Sequence, residues 1–103
     1  MTIEESQKRL RSDFELPLLK TLIEMGGSAN MTDENLYNGV ATKMQLTEAE
    51  RSFDARHARP KWAYELQWVR YNLVRKGEME SPKRGVWQVT TQGRKRVRRE
   101  TGG

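Results

Sequence analysis

Ten residues constrain the fold of this chain more than any others: Ser81-Pro82-Lys83-Arg84-Gly85-Val86-Trp87-Gln88-Val89-Thr90. Pro82 fixes its own φ and Gly85 tolerates positive φ, so together they specify a tight turn. Val86, Trp87, Val89 and Thr90 are β-branched or aromatic and favour an extended strand after it. Met79 and Glu80 supply the opposing strand, which places Lys83 and Arg84 at the hairpin tip. The preceding segment, about 61–76, has helical periodicity and is itself basic. A helix feeding a cationic hairpin points to a winged helix-turn-helix and to nucleic acid.

The charge distribution points the same way. Net charge is +5, but residues 1–55 hold 6 Lys/Arg against 10 Asp/Glu, a balance of −4, while residues 56–103 hold 13 against 4, a balance of +9. So sharp a polarity within 103 residues suggests a basic face turned toward a polyanion. The length suits one small domain, expected over 13–100, with a polar lead-in at 1–12 and a tail at 101–103. There is no cysteine, which fits a reducing compartment. No apolar run approaches the ~18 residues of a membrane span, and the charged start lacks an apolar signal core. A cytoplasmic location is expected.

Periodicity and punctuation order the rest. Asp13 is a candidate N-cap for a first helix with Leu16, Leu19, Leu22 and Ile23 at helical spacing, ended by Gly26-Gly27. Ser28 to Met31 reads as a very short strand. Thr32 is the expected cap of a second helix that turns Leu36 and Val40 inward, with Met44 or Tyr37. Thr47-Glu48-Ala49-Glu50 matches a capping box and predicts one helical turn near 48–52. Ser52 to Pro60 reads as a basic loop carrying Arg56, His57 and Arg59. The longest helix follows, about Lys61 to Lys76, with Gly77 as its C′ residue. Val86 to Thr91 reads as the second hairpin strand, and Thr91 as the cap of a last helix to about Arg99. The class is α+β, mostly α: a winged helix-turn-helix with a short β-hairpin wing.

A projection of the longest helix at about 100° per residue separates two faces. Trp62, Leu66, Val69 and Leu73 form one, suited to docking on a core. Tyr64, Gln67, Trp68, Tyr71 and Arg75 form the other, suited to a major groove. Arg70, Arg75 and Lys76 can reach phosphates or guanine edges, and Gln67 and Asn72 adenine edges. Arg56, Arg59, Lys61, Lys83, Arg84 and Arg94 complete the candidate DNA contacts. For Trp68 itself burial against the last helix or the hairpin is the favoured expectation, since exposed tryptophans are uncommon. Trp87 is expected to pack the hairpin onto the long helix. Arg94, Lys95, Arg96, Arg98 and Arg99 look too dense to pair internally, and suit either phosphates or solvent.

Catalysis is poorly supported. One histidine and no cysteine exclude a Cys/His pair or a histidine metal cluster. Glu78, Glu80 and Lys83 are close in sequence, but strand alternation separates them. There is no Gly-rich phosphate loop. No cofactor or metal is expected.

The residues from about Phe14 to Arg96 resemble the N-terminal winged-helix domain of Mrr-type restriction systems. The likeness is carried by Leu16-Pro17-Leu18-Leu19, by Leu46-Thr47-Glu48-Ala49-Glu50-Arg51, by Trp68-Val69-Arg70 with Asn72-Leu73, and by Gly77. Glu80-Ser81-Pro82-Lys83-Arg84-Gly85-Val86-Trp87, then Thr90 and Gly93, carry it most specifically. The resemblance implies a double-stranded DNA-binding module, with 61–76 as recognition helix and 81–86 as wing. It also implies a separate C-terminal nuclease domain or partner chain. The sequence departs from the family pattern at Glu78, where an apolar residue is usual, at Asn72, where an aromatic is usual, and over Phe53 to Lys61. Two other readings stand beside DNA recognition: a reader of a methylated base through Tyr64, Trp68 or Tyr71, and a protein-interaction or homodimerisation winged helix.

Overall fold

A computed structural model describes residues 10–51 and 61–102. A 3₁₀ turn, Arg11–Phe14, leads into α1 (Glu15–Glu24). β1 (Ser28–Asn30), α2 (Glu34–Met44) and the single turn α3 (Glu48–Arg51) follow. Then come α4 (Lys61–Arg75), β2 (Met79–Glu80), β3 (Val86–Val89) and α5 (Thr91–Thr101). Arg56, His57 and Arg59 lie outside the described residues, as does all of the expected basic loop, 52–60.

Local chemistry explains most of the boundaries. Pro17 falls in the first turn of α1, where it removes no intrahelical bond. Three expected caps move by one position or more. Asp33, not Thr32, caps α2, its carboxylate accepting from the Asn35 N–H at 2.9 Å. Thr32 is occupied with Asn30 Oδ1. Thr90, not Thr91, caps α5, its Oγ1 accepting from the Gly93 N–H at 3.1 Å. β3 consequently stops at Val89, short of the expected Thr91. Asp13 accepts from the Leu10 N–H and so serves the 3₁₀ turn rather than α1. The capping box forms as expected: Glu50 N donates to Thr47 Oγ1 at 3.1 Å and Thr47 N to Glu50 Oε1 at 3.0 Å. Gly77 adopts φ +78° after α4, the left-handed geometry a C′ glycine serves.

The three strands form an antiparallel sheet in the order β1-β3-β2. Ala29 pairs with Trp87, and Met79 with Val89. β3 is therefore central, and the short strand read from Ser28–Met31 completes the sheet rather than standing alone. One core unites Leu18, Leu19 and Leu22 of α1, Leu36, Tyr37 and Val40 of α2, Leu66, Val69 and Leu73 of α4, and Met79, Trp87 and Val89 of the hairpin. Trp62 packs against the same core, its ring stacked 6.4 Å from Phe14 and edge-on 6.2 Å from Tyr37. The docking face expected for α4 is the one observed. Among the described residues no helix is long and apolar enough to cross a membrane.

Candidate nucleic-acid interface

The exposed face of α4 is the other half of the same periodicity. With Leu66, Val69 and Leu73 fully buried, Tyr64, Gln67, Trp68, Tyr71 and Arg75 are turned to solvent. Trp68 is 55% exposed and Tyr71 49%. Burial of Trp68, the favoured expectation, is not what occurs. The Arg11 guanidinium lies over the Trp68 ring, 5.5 Å from its centroid. Arg11 also donates to Glu65 Oε2 at 2.7 Å, which ties the 3₁₀ turn to α4. No local pattern signals this contact, because Arg11 belongs to no periodic segment. Arg75 lies over the Tyr71 ring at 5.8 Å.

The wing forms as the sequence predicts. Lys83 and Arg84 are exposed at its tip. Gly85 takes φ +81°, and Val86 N closes the turn on the Lys83 carbonyl at 3.1 Å. Met31 N donates to the Gly85 carbonyl at 2.8 Å, anchoring the returning arm to the segment after β1. Glu80 is held by Gln88 Nε2 at 2.8 Å on the outer face of the sheet. Arg70 joins helix to wing. Its Nη1 donates to Ser81 Oγ at 3.3 Å and its guanidinium lies 5.8 Å from the buried Trp87 ring.

Other candidates lie elsewhere. Lys76 Nζ is 2.9 Å from Glu15 Oε1 and 3.0 Å from Oε2, so this cation is already paired. Arg94 sits against Gly27, in a polar groove at the base of the hairpin lined also by Ser28, Gln88, Thr91 and Lys95. The described part of Lys61 is its place at the start of α4. The density argument for α5 fails at Arg96. This side chain turns inward, donates to Glu15, Glu78 and Glu100, and is mostly buried. Sequence reasoning missed the network because its members come from three separate elements.

That network explains an irregularity of the sequence. Glu78, where the family pattern has an apolar residue, is buried, and Arg96 is its counter-ion at 2.7 Å. Burial alone raises the pKa of Glu15, but hydrogen bonds from Lys76 and Arg96 outweigh it and hold the carboxyl below its ordinary value. Burial likewise works against the charge on Arg96, while bonds to Glu78 and Glu15 overcompensate and raise its pKa.

Helix, strand, two long helices with the single turn α3 between them, and a hairpin define a winged helix-turn-helix around one core, here closed by an additional basic helix. Over residues 12–99 the chain matches the Mrr N-terminal domain, and it belongs to that family. The fold is similar to that of F93 from STIV, a winged-helix DNA-binding protein, with a TM-score of 0.53, 16% identity, and 92% of this chain and 89% of that one covered. No curated protein matched the chain.

Proposed function

We propose that this domain binds double-stranded DNA as the target-recognition module of a restriction-type system, acting by binding rather than by catalysis. In this reading α4 enters the major groove with Tyr64, Gln67, Trp68, Tyr71 and Arg75, and the wing lays Lys83 and Arg84 on flanking phosphates. The observation that carries it is the pairing of a solvent-facing helix surface with a basic wing linked to that helix by Arg70. A structural surface with no ligand has little reason to leave a tryptophan and a tyrosine exposed side by side with cations. Membership of the Mrr N-terminal domain family supports the same reading.

Neutralising about 5–7 phosphates gives a slope of log K on log salt of about −5 to −6. A titration with short duplexes across salt concentrations tests this, and a slope near zero removes the proposal. Charge reversal at Lys83 and Arg84 should weaken binding to every sequence alike, whereas Gln67→Ala should change sequence preference at nearly constant slope.

A second reading is favoured by the exposure of Trp68 and Tyr71: their rings offer stacking surface for a modified or unstacked base. Equal affinity for methylated and plain duplexes of one sequence would rule it out.

A further inference from the structure

We infer that Arg70 is a positioning residue that braces the wing against α4, and that it influences DNA through the wing rather than by touching DNA itself. The inference rests on the DNA-binding reading above.

The two arms of the wing are held differently. The returning arm is fixed by sheet pairing and by Met31 N donating to the Gly85 carbonyl. On the outgoing arm, pairing ends at Glu80 opposite Gln88. Ser81, Pro82, Lys83 and Arg84 lie beyond that last rung and are exposed. Arg70 reaches this arm, donating from Nη1 to Ser81 Oγ. Its guanidinium also lies over Trp87, whose ring is 2% exposed and built into the core. The side chain is half-buried and committed on both sides, unlike the open Gln67 and Trp68.

The chemistry fits arginine in particular. A planar guanidinium can stack on an indole and still direct an N–H sideways to a hydroxyl. A lysine ammonium keeps the charge but not that double geometry. This separates a brace from a phosphate contact, for which lysine is an adequate substitute.

The test compares Arg70→Ala, Arg70→Lys and Ser81→Ala with the parent protein. In the free protein, amide hydrogen exchange at Val86, whose N–H closes the wing turn on Lys83, should quicken about tenfold in both Arg70 variants, and less in Ser81→Ala. On DNA, a lost direct contact changes the salt slope by about 1. A lost brace releases both wing cations, so each Arg70 variant should make the slope less negative by more than 1, approaching 2. Both should also lose hydroxyl-radical protection at the flank that Lys83→Ala/Arg84→Ala loses. Circular dichroism checks that each variant is folded. If Arg70→Lys keeps the parent slope while Arg70→Ala loses about 1, Arg70 is a phosphate contact and the inference is wrong. A changed base preference under α4 with the slope intact makes it a base contact, and overturns the inference equally. If the parent itself binds without salt dependence, the DNA reading fails. Exchange still judges the brace, and unchanged exchange in Arg70→Lys rejects it.

Discussion

Arg96 Nη1 lies 2.8 Å from Glu15 Oε1, joining the last helix to the first turn of α1 across 81 residues of sequence. The same nitrogen donates to Glu78 Oε1 at 2.7 Å, and Lys76 approaches Glu15 from the end of α4. Two buried carboxylates thus meet two cations, one of them mostly buried and the other half-exposed. The docking of α5 depends on this neutralisation as well as on apolar contact.

Arg96→Met should therefore destabilise the fold strongly, by about 3–5 kcal/mol, because it strands Glu78 without its counter-ion and leaves Glu15 with the exposed Lys76 alone. Urea unfolding measures the loss. The triple change Arg96→Met, Glu15→Gln, Glu78→Leu should recover most of it, since removing all the buried charge is far cheaper than removing half. A triple variant no better than the single one would refute this account.

Stability should fall in acid in a way traceable to Glu15. Its folded pKa lies below the unfolded value of 4.5. Stabilisation is then fully present above pH 4.5 and is lost as the pH drops through the folded value. Arg96 contributes no slope of its own there, because it stays charged throughout. Unfolding free energies between pH 3 and 6, roughly the range around a carboxylate pKa, should show less acid sensitivity in Glu15→Gln than in the parent.

Gly93→Ala should destabilise by about 2–3 kcal/mol, although alanine is the better helix former by ~1 kcal/mol. A Cβ at this position meets the Glu78 carbonyl oxygen, and lies 2.8 Å from Val89 Cγ2. The glycine is what allows α5 to approach the turn before β2 so closely. Thermal melts decide the matter, and an unchanged or raised Tm goes against it.

Trp68→Ala should leave stability within about 1 kcal/mol of the parent, because the ring is more than half exposed and the cation over it, Arg11, is itself exposed. Its effect should appear in binding. Loss of a stacking ring costs about 1–3 kcal/mol per base, roughly 5- to 150-fold in affinity. The opposite pattern, a large stability loss with binding intact, would return Trp68 to a structural role.

What was legible in the sequence is what short-range chemistry determines. Pro82 and Gly85 dictate the wing turn, and a 3.6-residue period separates Leu66, Val69 and Leu73 from Gln67 and Trp68. Caps were misplaced where two neighbours compete for one role, as Thr32 with Asp33 and Thr90 with Thr91. The choice depends on where each hydroxyl is held: Thr32 is turned back to Asn30, while Thr90 donates to the Gly77 carbonyl and leaves its oxygen facing the Gly93 N–H. The fate of Trp68 was hard to read because exposure depends on what a distant element does not cover. Arg96 was hidden for the same reason in reverse. Nothing adjacent to it signals Glu15 or Glu78, and a run of five basic residues in six positions looks like uniform surface charge.

The central strand of the sheet is the last one made. β1 emerges from the ribosome 58 residues ahead of its partner, as the Ala29–Trp87 register records. Until Val86–Val89 are available, both edges lack a template, so α1 and α2 can associate but the sheet cannot close. Assembly is thus governed by a late, long-range event, and a nascent chain halted before Val89 would carry α4 without the sheet it packs beside.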